Sequence, residues 1–73
     1  MDQADMVHKA NQIAQFFESY PEAEAVAGIE DHLRKFWEPR MRRQIAAYAA
    51  EGGTGLRPLV TAAVQRMNER RPA

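Results

Sequence analysis

The chain repeats apolar side chains at the spacing of an amphipathic α-helix. In its first third the apolar positions recur at intervals of four and three residues, at Met6, Ala10, Ile13, Phe17 and Tyr20. On a helix of 3.6 residues per turn such positions fall within about 80° of one another. Asp5 stands just before this stripe and is a suitable N-cap residue. The pattern therefore predicts a first helix over roughly residues 5–19.

A second helix is predicted over roughly residues 20–37. Ser19 and Glu22 have the spacing of a capping box, and Pro21 is tolerated in a first helical turn. The apolar stripe of this helix consists of Val26, Ile29, Leu33, Phe36 and Trp37. Gly28 lies on its polar side, which indicates either the close approach of another backbone or simple tolerance.

The third predicted helix is short and covers roughly residues 39–51. Pro39 disfavours helical geometry in the residue before it and is well suited to the first position of a new helix. The pair Gly52 and Gly53 is typical of a helix end. The apolar side of this helix consists of Met41, Ile45, Tyr48 and Ala49.

A fourth helix is predicted over roughly residues 57–70, opened by Pro58. Arg70 and Arg71 belong to its last turn, where positive charge is favourable to the helix dipole. Its apolar stripe consists of Leu56, Val60, Ala63, Val64 and Met67.

The fold class that follows is all-α, a small bundle of about four short amphipathic helices. No segment shows sustained alternation of apolar and polar residues or a hairpin signal, so strands are not expected. We expect one helical domain over residues 1–73. The connections are a few residues long, which favours antiparallel packing of sequential helices around one core.

The composition limits how stable this domain is on its own. A chain of 73 residues is at most one domain, and a core of this size supplies about 3–5 kcal/mol of net stability. There is no cysteine to form a disulfide or a thiolate metal site. A partner surface, or self-association of the isolated chain, would therefore supply missing burial.

The net charge is zero, but the two signs are separated along the chain. Residues 1–31 carry seven acidic side chains and one basic, whereas residues 32–73 carry three acidic and nine basic. Such asymmetry favours complementary packing of the halves or contact with a charged partner. Uncharged stretches are too short to span a membrane, and the N-terminus lacks a secretory signal pattern, so we expect a cytoplasmic protein.

Catalytic and metal-binding patterns are missing from the sequence. A nucleophile needs an adjacent base and an orienting group, and no glycine-bracketed serine or cysteine provides that arrangement. Asp31 and His32 are sequence neighbours, so on a helix they diverge by about 100° and cannot act as a dyad. His8 and His32 lack companions at metal-ligand spacing. We therefore expect no catalytic, cofactor or metal site in this chain.

The segment 32–43 interleaves five basic side chains with two aromatics. Three interpretations fit it: a solvated face, a protein-docking face, or a small nucleic-acid-binding module in which arginines contact phosphates and aromatics stack on bases. Phe36 and Trp37 continue the apolar stripe, so core packing explains them without any base. Arginine and tryptophan are frequent at interface hot spots, which favours docking over nucleic-acid binding.

Three blocks of sequence resemble one family in the same order. They are MVHKANQIAQFF at residues 6–17, DHLRKFWEPRMR at residues 31–42, and GGTGL at residues 52–56 followed by Pro58, Leu59 and Val60. The chain resembles the delta subunit of cytoplasmic, NAD-dependent, molybdenum-containing formate dehydrogenases. The block that contains Phe36, Trp37 and Pro39 is the most specific of the three, and together the blocks span nearly the whole chain.

The resemblance implies an accessory role in a complex that oxidises formate and passes electrons to NAD. In such complexes the alpha subunit holds a molybdenum bis-pyranopterin and iron–sulfur clusters, and the beta and gamma subunits carry flavin (FMN) and further clusters. The delta subunit is expected to bind none of these and to dock on alpha, stabilising or assembling the holoenzyme. The residues that we expect at this interface are Phe16, His32, Arg34, Lys35, Trp37, Arg40, Arg42 and Arg43.

Overall fold

The computed structural model describes residues 2–69, which form four α-helices and no strand. The helices are α1 (Gln3–Phe17), α2 (Glu22–Phe36), α3 (Pro39–Ala50) and α4 (Pro58–Glu69). The all-α fold class and the four predicted helices are therefore confirmed, with boundaries that differ by a few residues. Arg70 and Arg71, predicted for the last turn of the fourth helix, lie outside the described residues.

The N-caps of the first two helices differ from the predicted ones. Asp2 caps α1, because its side chain accepts a 3.4 Å hydrogen bond from the backbone N–H of Asp5. Asp5 instead lies in the first turn, where its charge still favours the helix dipole. The capping box at Ser19 does not form, since Pro21 occupies the N-cap position of α2 without a side-chain hydrogen bond.

Trp37 leaves the helical path at the end of α2. Its backbone is extended, with φ −93° and ψ 131°, and Pro39 begins α3 two residues later. The extended residue directs the indole into the core, where only 7% of Trp37 is exposed. The prediction that Phe36 shares the apolar stripe is wrong, because α2 ends at this residue and 72% of it is exposed. Tyr20, predicted on the stripe of α1, is also exposed.

The inner faces of the helices pack together into one hydrophobic core. Its buried members are Met6, Ala10, Ala14, Ile29, Leu33, Trp37, Ile45, Val60, Ala63, Val64 and Met67. The most extensive helix pair is α2 with α4, and α4 also packs against α1 and α3. Sequential helices pack together in the pairs α1–α2 and α3–α4, whereas α2 and α3 make few contacts. Helix α4 therefore holds the bundle together.

The connection between α3 and α4 is fixed at both of its ends. Gly52 and Gly53 have positive φ, and their N–H groups bond to the carbonyls of Ala49 at 3.1 Å and Tyr48 at 3.0 Å. This is a Schellman motif, which confirms the predicted helix end. Asn11 of α1 holds the far end, because it donates to the carbonyl of Gly55 at 2.8 Å and accepts from the backbone N–H of Arg57 at 2.9 Å.

We expect Asn11→Ala to lower the free energy of unfolding by about 1 kcal/mol. Loss of the two loop hydrogen bonds costs about 1–2 kcal/mol, partly offset by the higher helix propensity of alanine. Thermal denaturation should show a midpoint lowered by about 4–8 °C. The control is Gln15→Ala, an exposed amide on the same helix, which should change stability by less than about 0.5 kcal/mol. Equal losses in both variants would contradict a role of Asn11 in fixing the loop.

Candidate partner-docking surface

The predicted interface residues are divided among α1, α2 with its C-cap Trp37, and α3, and those in α2 lie on different flanks of that helix. His32 and Phe36 are four positions apart and therefore within about 40° of each other around the helix, whereas Arg34 lies about 160° from each of them. Each flank borders a groove between helices. The basic segment 32–43 is therefore not one continuous surface, as the linear sequence suggests.

The first groove, here called the basic groove, has a volume of about 300 Å³. It is lined by residues from the end of α2, from α3 and from the last turns of α4, namely Arg34, Pro39, Arg42, Arg43, Ala46, Met67 and Asn68. Three of these carry a positive charge and none carries a negative charge. The groove is therefore suited to an anionic group.

Buried Glu30 positions one wall of the basic groove. This carboxylate residue is only 2% exposed; one oxygen accepts a hydrogen bond from Nε of Arg34 and the other forms an ion pair with Nε of Arg66, each at 3.0 Å. Arg34 also donates through Nη2 to the carbonyl of Met67 at 3.5 Å. Glu30 thus joins α2 to α4 and fixes the guanidinium of Arg34. Sequence reasoning had assigned Glu30 no role, since its place on the buried side of α2 depends on the packing of α4.

Arg42 reaches back from α3 to the end of α2. Its Nη1 donates to the carbonyl of Arg34 at 3.1 Å and to the carbonyl of Trp37. These carbonyls belong to the terminal turn of α2, where carbonyls lack helical partners. Arg42 therefore stabilises the α2–α3 corner while its guanidinium lines the groove.

The side chains of Arg40 and Arg43 are exposed at the start of α3 and form no ion pair or hydrogen bond with another described residue. Arg43 lines the basic groove, whereas Arg40 does not. Lys35 lines neither groove and pairs with Asp31 at 3.1 Å on the solvent side of α2.

The second groove, here called the aromatic groove, runs between α1 and the end of α2 and has a volume of about 570 Å³. It is lined by Lys9, Gln12, Ile13, Phe16, Phe17, His32 and Trp37. Three predicted interface residues, Phe16, His32 and Trp37, meet here although they are far apart in sequence. Trp37 belongs both to the core and to the wall of this groove.

Exposed aromatic rings surround the aromatic groove. Phe16 is 69% exposed and packs edge-on against Phe17, with ring centroids 5.0 Å apart, and Tyr20 lies 6.4 Å from Phe16. On α2, the rings of His32 and Phe36 lie 4.8 Å apart. Sequence reasoning left Phe36 between the core and the interface, and Tyr20 was placed only in the core. Large exposed aromatics in a small domain are typical of interaction surfaces.

Gly28 lies against the ring of Phe17, which lines the aromatic groove. A Cβ atom added at this position would lie 2.5 Å from Cε1 and 2.8 Å from Cζ of Phe17. The close approach that the sequence suggested is therefore made by an aromatic ring and not by a backbone. Glycine at this position leaves space for the ring that forms part of the groove.

The described part of the chain contains no group of three or more histidine, aspartate or glutamate side chains placed to hold a metal ion. The full sequence has no cysteine, so it offers no thiolate to an iron–sulfur cluster. None of the helices within residues 2–69 combines the length and the apolar character that crossing a membrane requires.

Comparison with known families gives a match that covers most of the chain. The family described as NADH-dependant formate dehydrogenase delta subunit FdsD matches residues 5–64. The chain belongs to this family of formate dehydrogenase delta subunits. No curated protein and no solved structure gives a significant match.

The family match covers every residue of the aromatic groove and most of the basic groove of this delta subunit. Only Met67 and Asn68, which line the basic groove from α4, lie beyond the matched residues. Membership in the family makes the chain a subunit of an NAD-dependent formate dehydrogenase, so other subunits of that enzyme are its partners. The resemblance seen in the three sequence blocks is thus confirmed.

We expect Glu30→Gln to lower the free energy of unfolding by about 1–3 kcal/mol. The amide keeps the shape of the side chain but loses charge-assisted hydrogen bonds and turns N–H groups toward a guanidinium. Chemical denaturation measures the loss. Asp31→Asn is the matched control, since it removes one negative charge from the next residue of α2 and breaks only the exposed pair with Lys35. A similar loss in the control would contradict a special role for Glu30.

We expect Gly28→Ala to lower the free energy of unfolding by about 1 kcal/mol, although alanine favours helix by a similar amount. The new methyl group must displace the ring of Phe17, and such overpacking costs about 1–3 kcal/mol. A double-mutant cycle with Phe17→Leu, whose side chain lacks the clashing atoms, should give a favourable coupling of at least about 1 kcal/mol. Additive effects would show that the ring does not restrict this position.

Proposed function

We propose that this chain is a non-catalytic accessory subunit that docks on the large alpha subunit of a cytoplasmic, molybdenum-containing formate dehydrogenase and stabilises or assembles the holoenzyme. The observation that carries the proposal is the exposed aromatic surface around the aromatic groove, within a chain that belongs to the delta-subunit family. Beta and gamma subunits complete the proposed complex.

The aromatic groove has the chemistry of a protein interface. Phe16 and Phe36 expose more than two-thirds of their surface, and transfer of such side chains from water to a partner contributes about 1.5–3 kcal/mol each. His32 and Lys9 supply polar atoms at the same groove. Apolar rings at the centre with polar groups beside them are the usual arrangement of an interface core and its rim.

The redox chemistry of the proposed complex would reside in the other subunits. Iron–sulfur clusters are ligated mainly by cysteine thiolates, which this chain lacks, and in this proposal the other subunits hold them together with a molybdenum bis-pyranopterin and FMN. In this proposal the chain contributes a docking surface that contains the two grooves. Its effect on formate oxidation would be indirect, through the stability or assembly of the subunit on which it docks.

A nucleic-acid-binding module using segment 32–43 is less well supported. Trp37 is buried in the core and is not free to stack on a base. Lys35 pairs with Asp31 away from both grooves. A nucleic-acid surface instead needs basic and aromatic side chains on one continuous face.

The proposal is tested by co-expression of the tagged chain with the alpha, beta and gamma subunits. We expect the wild-type chain to co-purify with alpha, and the double variant Phe16→Ser with Phe36→Ser to reduce the recovered complex at least tenfold. Because both rings are largely exposed, this variant should still fold, which circular dichroism checks.

The control for this experiment is Ala47→Ser, an exposed position of α3 outside both grooves. It should leave recovery of the complex unchanged. Failure of the folded wild-type chain to co-purify with any formate dehydrogenase subunit would overturn the proposal, and unchanged recovery of the double variant would exclude the aromatic groove as the docking surface.

Stoichiometry separates the two roles within the proposal. A stabilising subunit remains in the purified active enzyme at one copy per alpha subunit, whereas an assembly or cofactor-insertion factor is present only on the incomplete alpha subunit. Quantitative mass spectrometry of active and metal-depleted enzyme measures this ratio. Light scattering of the isolated chain shows whether it self-associates when no partner covers the aromatic groove.

A further inference from the structure

The basic groove has a concentration of positive charge, and none of the residues that line it is acidic. Arg34, Arg42 and Arg43 line it together. The first turn of α3, which borders the groove, also contains no acidic residue. Arg34 is paired with Glu30, but Arg42 and Arg43 have no carboxylate partner among the described residues, so an anionic partner would interact favourably with them.

Two of the three guanidinium groups are held in fixed positions. Arg34 is anchored through Nε to buried Glu30, and Arg42 is anchored through Nη1 to the last carbonyls of α2. A guanidinium has five N–H donors, so both side chains keep donors for a further ligand. Because their positions are already fixed, binding costs little additional side-chain entropy. Arg43 supplies a third cation, whose side chain has no ion-pair partner among the described residues.

The remaining lining residues indicate which class of anion fits. No aromatic ring lines the basic groove, so a nucleobase would find no stacking surface. The aliphatic parts of Pro39, Ala46 and Met67 suit a carbon chain that bears a carboxylate. Asn68 also lines the groove, and its Oδ1 is buried without a hydrogen-bond partner. A peptide supplies a backbone N–H for this acceptor, whereas the phosphodiester of a nucleic acid supplies only acceptors.

We propose that the basic groove binds an acidic peptide segment, with glutamate or aspartate side chains, of a partner subunit. This inference rests on the proposed docking function and assigns it a second contact, separated from the aromatic groove by the width of α2. Guanidinium–carboxylate pairs in the groove would fix the orientation of the docked chain, while the aromatic groove would supply most of the buried apolar area.

The groove itself is tested with the isolated full-length chain. Fluorescence anisotropy measures binding of a labelled hexaglutamate peptide at about 20 mM ionic strength, where the screening length is about 20 Å. We expect Arg43→Glu to weaken binding at least tenfold. Lys35→Glu changes the net charge by the same amount outside the groove, and it should weaken binding less than threefold. Equal weakening by both variants, or no binding by the wild type, would overturn the inference.

A labelled single-stranded hexathymidylate provides the comparison with nucleic acid. We expect it to bind at least fivefold more weakly than hexaglutamate, because the groove lacks a stacking ring. Tighter binding of the oligonucleotide, lost in Arg43→Glu, would assign the groove to nucleic acid and overturn the peptide proposal.

Cross-linking tests the inference in the complete complex. The variant Arg43→Lys places an amine in the groove, and a carbodiimide then joins this amine to a nearby carboxylate of the partner as an amide. We expect mass spectrometry to find a cross-link from position 43 to a glutamate or aspartate of another subunit. The native amines of Lys9 and Lys35 are the internal comparison.

The outcomes distinguish this inference from the proposed function. If the wild-type complex co-purifies but no cross-link forms at position 43, the docking function is supported and binding of an acidic segment in the basic groove is contradicted. If the chain binds hexaglutamate but does not co-purify with the enzyme subunits, binding of acidic peptides in the basic groove is supported and the docking function is contradicted.

Discussion

The sharp exit of the chain from α2 decides much of the surface of this protein. Pro39 prevents α2 from continuing, so Trp37 becomes extended and its indole enters the core. Phe36, at the last helical position, is left exposed beside His32. The same corner places Arg42 where it bonds to the terminal carbonyls of α2. One proline-induced break thus helps to form both grooves.

Stability and surface chemistry depend on the same contacts. Glu30 joins α2 to α4 through Arg34 and Arg66, and in doing so fixes one wall of the basic groove. Phe17 packs over Gly28 and forms part of the aromatic groove. In a domain this small, total stability is only a few kcal/mol, so changes at these positions affect folding and docking together. Exposed residues such as Phe16 and Arg43 are better probes of docking because they contribute little to the core.

The two grooves have complementary roles in the proposed interface. Apolar rings supply favourable burial without strong directional preference, whereas guanidinium groups paired with carboxylates define orientation. An apolar surface alone would permit the chain to dock in several orientations. Fixed cations on the other flank of α2 would select one of them, which is the requirement for a subunit that must meet its partner in a single arrangement.

The sequence alone determined the helical fold, the approximate helices and the family. The signals for the helices are local: helical periodicity, proline at the starts of α3 and α4, and paired glycines after α3. Each of them favours a backbone conformation that depends only on neighbouring residues. The family was recognisable from three blocks of sequence and is shown by the match over residues 5–64.

Tertiary structure decided which side chains share a surface. Periodicity assigns a residue to a helix face but not to a partner helix, so it could not reveal that Glu30 is buried against Arg66 or that Asn11 binds the loop before α4. It also placed Phe36 on the apolar stripe of α2, because the pattern does not show where the backbone leaves the helix. The basic segment is continuous in sequence, yet the break before Pro39 divides it between α2 and α3, and the helical turn places His32 and Arg34 on different flanks of α2. Contacts between residues distant in the chain depend on packing of whole helices, which no local pattern specifies.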